Sequence, residues 1–200
     1  MRTDEIHAVI LAGGLGSRLG GARKSHIRIA GKPLLQRIAD GFSEIATPLL
    51  ISLGPAPLPN PPLPSSALPV ADLPSGTAGP MAGIAAALAA LNQRGIDRGL
   101  LLSVAVDTPF LRADFAAGLL AGIGDASAAV ASWRGNNYPT NALWRIEQLA
   151  PMACIVGSPR QALARLEATV VEWHSPQDPF ANLNTLADLL ALQRRGLRSR

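Results

Sequence analysis

Glycines and cations are concentrated in one short segment of the sequence, LAGGLGSRLGGARK, which runs from Leu11 to Lys24. Glycines allow backbone N–H groups to approach and surround an anion, because no side chain stands in the way. Arg18 can pair with two phosphate oxygens at once, and Lys24 supplies a compact point charge. The segment therefore predicts a loop that binds a polyphosphate. The alternative is a tight turn whose charges are only solvated.

Two familiar phosphate-binding motifs do not match this loop. A Walker A loop needs its lysine directly after a glycine, whereas Ala22 and Arg23 separate the last glycine from Lys24. The dinucleotide fingerprint needs a third glycine at the position that Leu19 occupies here. The loop therefore belongs to neither of these two classes.

A second candidate for chemistry is Asp107, which follows the apolar run GLLLSVAV (99–106) and precedes a Thr-Pro pair. A carboxylate at the end of a buried strand is costly unless it is paired or binds a cation. Beside a triphosphate, Asp107 would be a ligand for Mg²⁺, which takes one or two carboxylates together with phosphate oxygens and water. The alternative is that Asp107 caps the next turn through Thr108.

An α/β sheet is needed to bring these residues together. Apolar runs predict strands at 7–11, 48–54, 99–106, 127–133 and 169–174. Helical spacing predicts helices at 33–45, 79–95, 113–123, 158–168 and 185–196, and the segment 141–152 is expected to begin extended and become helical. The alternation predicts a Rossmann-like α/β fold with a mostly parallel central sheet and helices on both faces. In such sheets ligands bind beyond the carboxyl ends of the strands, where the glycine loop and Asp107 would lie.

The composition favours one globular domain over residues 1–200, with 48% hydrophobic and 16% charged residues. Proline density predicts a surface loop at 55–69, and the last helix is expected to end at Gly196. The basic residues of 194–200 are expected to form a frayed, solvated tail. One cysteine excludes an intrachain disulfide, and no signal-peptide or membrane-spanning pattern is present, which together favour the cytoplasm over a membrane.

The net charge of +4 raises the question of a nucleic-acid partner. Several of the positive charges lie in the predicted tail, 194–200. The only mixture of aromatic and basic residues, WRGNNYP, is too short for a base-stacking platform. The sequence therefore predicts no nucleic-acid binding.

Six sequence blocks together resemble the molybdenum cofactor guanylyltransferases, a family with the nucleotidyltransferase fold. The blocks are LAGGLGSRLGGARK, IAGKPLLQ, GPMAGI, DTPFL, YPTNALWR and NLNT, in family order over nearly the whole chain. The resemblance implies transfer of GMP from GTP to the terminal phosphate of molybdopterin, with Mg²⁺ as cofactor and pyrophosphate as second product. It also implies molybdoenzyme apoproteins or their chaperones as candidate partners.

The resemblance assigns roles to particular residues of this chain. Nucleotide binding is implied for Leu11, Ala12, Gly13, Gly14, Lys24, Ser52, Asp72, Gly79 and Asp107. Catalysis is implied for Arg18, Lys24 and Asp107, with Asp107 as the metal ligand and Asp72 as the acid on the guanine side. The acceptor side is implied to include Tyr138, Thr140, Asn141, Asn182 and Asn184.

The chain departs from the family pattern at three places. Arg23 stands where the family usually has aspartate, Ser52 stands where it usually has a base-contacting asparagine, and the segment after Ser52 is unusually rich in proline. Related cytidylyltransferases typically have LAAG and DIDT where this chain has LAGG and NLNT, so these two blocks favour guanine. The alternatives are a cytidylyltransferase on the same pterin, a sugar-phosphate nucleotidyltransferase, and a degenerate nucleotide-binding module without turnover.

Overall fold

The structure, a computed structural model, describes residues 6–42, 45, 48–54, 63, 65–73 and 78–198. Within them the strands are β1 (Ile6–Leu11), β2 (Leu15–Gly16), β3 (Ala22–Arg23), β4 (Arg28–Ile29), β5 (Lys32–Pro33), β6 (Leu49–Ser52), β7 (Ala67–Val70), β8 (Leu100–Ala105), β9 (Ala128–Trp133), β10 (Asn136–Arg145) and β11 (Thr169–Glu172). The α-helices are α1 (Leu34–Asp40), α2 (Pro80–Asn92), α3 (Phe115–Ile123), α4 (Ile146–Leu149), α5 (Pro159–Arg165) and α6 (Leu186–Arg198).

Seven of these strands form one sheet in the order β11-β9-β10-β8-β1-β6-β7. Only β10 runs antiparallel to its neighbours, and every other pair in this sheet is parallel. The central strands β1, β6 and β8 are nearly continuous apolar runs because both of their faces are covered. The predicted α/β class with a mostly parallel sheet is confirmed.

Helices cover both faces of the sheet, as the sequence predicts. Side chains of α1, α3 and α6 pack into one buried cluster. Those of α2, α4 and α5 pack into a second cluster on the opposite face. Among the described residues, no helix combines the length and the apolar content needed to cross a bilayer.

Two predicted boundaries on the first half of the chain are wrong. The helix predicted for 33–45 ends at Asp40, because the chain turns at Gly41 and then buries Phe42 outside the helix. The loop predicted for 55–69 overlaps strand β7, which contains Pro69. That proline is tolerated because β7 pairs only with β6 and forms the edge of the sheet. Residues 55–62 and 64 lie outside the described part of the chain.

The predicted frayed tail is also wrong for residues 194–198, which continue helix α6 through Gly196. A Cβ atom on Gly196 would lie 2.8 Å from Cγ2 of Ile29, so only glycine allows the helix to pack this closely. Arg195 donates to the carbonyl oxygen of Asp178 at 2.5 Å, and its guanidinium lies 4.3 Å from the ring centre of Phe110. Tertiary contacts therefore keep the helix formed where the sequence predicts a solvated end.

The same helix holds the turn between β4 and β5. The side chain of Gln193 accepts a hydrogen bond from the backbone N–H of Ala30 at 2.8 Å and donates to the carbonyl of Arg28 at 2.6 Å. Helix α6 thus contacts three separate segments, which contain Ala30, Phe110 and Asp178.

Candidate active site

The carboxyl ends of four parallel strands lie side by side. Leu11 is in register with Ser52 on one side and with Ala105 on the other, and Ser52 is in register with Val70. The segments that follow these residues therefore meet at a single edge of the sheet, which is where α/β proteins bind ligands.

A cleft of about 500 Å³ lies at this edge. This volume is within the range of ~300–1,000 Å³ that is usual for small-molecule sites. Most of the sequence-predicted binding residues line it, namely Leu11, Gly13, Gly14, Lys24, Ser52, Asp72, Gly79, Asp107, Thr140 and Asn182. The remaining lining residues, which the sequence did not single out, are Gly54, Leu73, Ala78, Pro80, Ala105 and Val106.

Bare backbone forms part of the cleft wall, because the loops after β1 and β6 touch through glycines. A Cβ atom on Gly13 would lie 2.6 Å from Cα of Gly54, a contact that real side chains do not make. Gly54 itself has a φ of +79°, which favours glycine. The glycines of the first loop therefore allow close packing of two loops as well as access for an anion.

Lys24 and Asp107 form an ion pair inside the cleft. The Lys24 Nζ atom lies 2.6 Å from Oδ2 of Asp107 and donates over the same distance to Oδ1 of Asn184. The Lys24 side chain is 13% exposed and that of Asp107 is 17% exposed. The predicted loop cation, the predicted metal ligand and one predicted acceptor-side amide are therefore in direct contact.

Hydrogen bonds from neighbouring residues fix Asp107 and Asn184. The N–H of Leu183 donates to the carbonyl of Asp107 at 3.0 Å. The carboxylate of Asp188 accepts from the N–H of Asn184 at 3.0 Å and from that of Thr185 at 2.8 Å. These bonds, led by the one from Asn184, lower the pKa of Asp188. The sequence signal for this cap was the Thr-x-x-Asp spacing at the start of α6, which resembles a capping box.

Asp107 does not cap the following turn through Thr108. The hydroxyl of Thr108 instead donates to the carbonyl of Ala105 at 2.7 Å and closes the turn behind the carboxylate. The Asp107 side chain is thereby directed at the cleft, where a cation can reach it.

Asp72 and Ser52 line the cleft from the ends of β7 and β6. The hydroxyl of Ser52 is 3.5 Å from Oδ1 of Asp72 and donates to it. Burial raises the pKa of Asp72, and the hydrogen bond from Ser52 partly opposes that rise. The carboxyl group of Asp72 therefore keeps its proton to a higher pH than an exposed aspartate does.

Gly83 in α2 leaves room for Ser52. A Cβ atom at this position would lie 2.4 Å from Oγ of Ser52 and 2.9 Å from Cδ2 of Leu11. The helix can pack on the strand ends of the cleft only because this residue has no side chain.

We expect Gly83→Ala to reduce nucleotide affinity by ~10-fold or more, because small misplacements in a site are costly. Overpacking of this kind also costs ~1–3 kcal/mol of stability. The matched control is Gly122→Ala in α3, where a Cβ would lie 2.4 Å from Cγ2 of Val171, away from the cleft. Calorimetric titration with a nucleotide and thermal unfolding would compare the two. Equal affinities in both variants would contradict the role given to Gly83.

Two residues with predicted roles, Arg18 in catalysis and Ala12 in nucleotide binding, do not line the cleft. Arg18 lies in a short 3-10 turn, Ser17–Leu19, with its side chain exposed. Ala12 is buried, and its N–H donates to the carbonyl of Ser52 at 2.8 Å, which extends the pairing of β1 with β6.

Two predicted acceptor-side residues, Tyr138 and Asn141, also do not line the cleft. The hydroxyl of Tyr138 donates to Asp178 at 2.9 Å, and burial together with this carboxylate raises the pKa of Tyr138. The amide oxygen of the fully buried Asn141 accepts from the N–H of Ala105 at 3.0 Å. Both residues lie where β10 is irregular, because from Tyr138 to Ala142 it advances four residues while β9 advances one, which interrupts the alternation of a regular strand.

The donor atoms around Lys24 fit a magnesium ion. A carboxylate oxygen and an amide oxygen converge on one cationic group, and hard oxygen donors of this kind are the ligands that Mg²⁺ takes. Within the described residues no group of three acidic, histidine or cysteine side chains could hold a metal. An ion at Asp107 would therefore complete its coordination with phosphate oxygens and water, and magnesium binding stays a prediction.

The fold and the cleft at its strand ends place this protein in the class of α/β nucleotidyltransferases. More narrowly, the chain belongs to the family described as "MobA-like NTP transferase domain", whose family model matches residues 8–170.

Curated relatives match nearly the whole chain. The molybdenum cofactor guanylyltransferase of Rhodopseudomonas palustris (strain BisB5) is 35% identical over 199 residues, covering 96% of this chain and 94% of the relative. That of Rhodobacter capsulatus is 36% identical over 196 residues, covering 92% and 93%. The resemblance seen in the sequence blocks is therefore confirmed.

A solved structure shows the same fold. The molybdopterin-guanine dinucleotide biosynthesis protein A from Archaeoglobus fulgidus superposes with a TM-score of 0.67 at 20% sequence identity. The match covers 96% of this chain and 99% of that one.

Proposed function

We propose that this protein transfers GMP from GTP to the terminal phosphate of molybdopterin, forming a guanine dinucleotide cofactor and pyrophosphate. The observation that carries the proposal is the contact of Lys24 with Asp107 in a glycine-lined cleft at the strand ends. The names of the relatives supply the choice of substrates.

The proposed reaction is an in-line displacement at the α-phosphorus of GTP. An oxygen of the pterin phosphate forms the new P–O bond, and the bond to the α,β-bridging oxygen breaks, so that pyrophosphate leaves with that electron pair. No covalent enzyme intermediate is required, and catalysis comes from positioning and electrostatics.

The chain supplies the binding and charge for this step. Backbone groups of Gly13 and Gly14 bind phosphate oxygens, and the Lys24 ammonium stabilises charge that develops on the phosphates. We propose that the reaction depends on Mg²⁺ held by Asp107, which neutralises phosphate charge when bound. Thr140 and Asn182 are the candidates for the acceptor side, since they line the same cleft from β10 and from the segment before α6.

We propose that the reaction takes place in the cytoplasm and that its product passes to molybdoenzyme apoproteins or their chaperones.

Asp72 is proposed to select guanine, whose ring N–H and amino group are donors that a carboxylate accepts. We expect Asp72→Asn to lower kcat/KM for GTP by ~10–100-fold and to change that for CTP little, in line with ~1–3 kcal/mol for a two-bond base contact. Steady-state kinetics with both nucleotides measure this, with exposed Asp97→Asn as the control for lost charge. Equal losses with GTP and CTP would contradict base selection.

Asp72 is also expected to make the affinity for GTP depend on pH. Because burial raises the pKa of Asp72, the carboxylate gains its proton at a higher pH than an exposed aspartate would. A protonated Asp72 no longer accepts two bonds, so GTP affinity is expected to fall as the pH drops through that raised pKa. The Asp72→Asn variant is expected to lack this fall.

The test of the proposed function is pyrophosphate release with Mg²⁺ and molybdopterin, comparing GTP, CTP and ATP in parallel. Selective turnover of GTP is the expected result. A preference for CTP would keep the chemistry and reassign the base. Nucleotide binding without turnover, in an assay where an active guanylyltransferase works, would favour the degenerate binding module.

A further inference from the structure

Two oxygen atoms from distant parts of the chain converge on the Lys24 ammonium. Asp107 is 83 residues from Lys24 in sequence and Asn184 is 160 residues away, yet both accept a hydrogen bond of 2.6 Å from the same nitrogen. The ammonium therefore occupies the point at which this part of the cleft would coordinate a cation.

The backbone that carries these two oxygens is held without help from Lys24. The loop after β8 is fixed by the bond from Leu183 to the Asp107 carbonyl, and the Asn184 backbone is fixed by the Asp188 carboxylate. Neither bond involves the ammonium, so both loops would stay in place if the lysine withdrew. Another cation could then meet the same carboxylate and amide.

Lys24 lies beside the phosphate loop. Its Cδ atom is 4.0 Å from the place where a Cβ of Gly14 would be. Gly14 and Lys24 both line the cleft. A phosphate bound by the Gly14 backbone would therefore lie next to the lysine side chain and give its ammonium an alternative partner.

We propose that Lys24 is the resident cation of the metal position in the free protein and exchanges with a divalent ion when a nucleoside triphosphate binds. The ammonium and the metal compete for Asp107 and Asn184, and phosphate oxygens give the displaced lysine a new partner. Metal and nucleotide consequently bind with positive coupling, which is reciprocal. The exchange rests on the proposed function only in taking a triphosphate as the ligand.

The test measures binding of Mn²⁺, used as a spectroscopic probe, to the nucleotide-free protein by electron paramagnetic resonance. Lys24→Met is expected to bind Mn²⁺ ~10-fold more tightly than the natural protein, within the usual range of such couplings. The matched control is Lys32→Met, which removes the same charge from a lysine that pairs with Asp40 instead. That control is expected to leave Mn²⁺ affinity unchanged, and Asp107→Asn is expected to weaken it.

A second arm adds a non-hydrolysable GTP analogue. The analogue is expected to tighten Mn²⁺ binding by the natural protein more than by the Lys24→Met variant, because the variant has no ammonium to displace. Lys24→Gln serves as a second variant that lacks the ammonium, and a circular dichroism spectrum of each variant checks that it is folded. Mn²⁺ affinities of Lys24→Met and Lys24→Gln that equal or fall below the natural value would overturn the exchange. Since the first arm needs no turnover, absence of pyrophosphate release would count against the proposed function and leave the exchange standing.

Discussion

Turnover of the Asp107→Asn variant is expected to fall by ~10²–10³-fold, the loss typical of removing one charge aimed at the reacting groups. Asparagine keeps the shape and one oxygen of the side chain but loses the negative charge that would hold a divalent ion. The fold is expected to survive, because the turn behind residue 107 is closed by bonds from the Thr108 hydroxyl to the Ala105 carbonyl and from the Leu183 N–H to the Asp107 carbonyl, neither of which uses the Asp107 side chain.

The measurement is single-turnover pyrophosphate release over a range of Mg²⁺ concentrations, with thermal unfolding in parallel. The control is Asp114→Asn, which removes an exposed carboxylate that pairs with Arg112 away from the cleft. Near-normal rates for Asp107→Asn, at the same Mg²⁺ requirement, would remove Asp107 from the metal role.

Lys24→Met is the variant with the second large expected effect, a loss of ~10²–10³-fold in kcat. Methionine replaces the aliphatic stem but removes the cation that we propose acts on the phosphates. The loss is expected mainly in kcat and less in KM, because charge on the phosphates grows in the transition state.

Lys32→Met is again the matched control, since it is the chain's other lysine and lies outside the cleft lining. The double variant of Lys24 and Asp107 is expected to lose less than the product of the two single losses, because residues in contact act as a unit. Unchanged kinetics in Lys24→Met, accompanied by a lower melting temperature, would give the ion pair a purely structural role.

The sheet and most residues of the cleft could be predicted from the sequence, because both depend on local patterns of residues. Continuous apolar runs predict buried parallel strands, and the residues that follow such strands must share one edge. Lys24 and Asp107 therefore come together as the sequence suggests, and Asp72, which only the family resemblance singled out, lines the same cleft.

Tertiary contacts decided the remaining features. Tyr138 and Asn141 do not line the cleft, and β10 is irregular between Tyr138 and Ala142, where it advances four residues while β9 advances one. Gly196 lies inside α6 rather than at its end, and Ile29 and Ala30 pack where its side chain would be. Neither feature could be predicted from a local sequence pattern, because each depends on a neighbour far away in sequence.

The contacts at the centre of the site could not be predicted from the sequence either. That Lys24 contacts both Asp107 and Asn184 depends on how three loops approach each other, which residue spacing does not encode. The individual residues could be predicted from the family resemblance, whereas their mutual contact came only from the structure.

The three segments that contact α6 have a consequence for synthesis of the protein. Every strand of the sheet precedes α6 in the chain, so a ribosome makes this helix after all of them. Until then Ala30, Phe110 and Asp178 have none of the contacts that Gln193 and Arg195 give them. A chain that stopped before α6 would therefore contain every strand of the sheet but leave these three segments without the helix that anchors them.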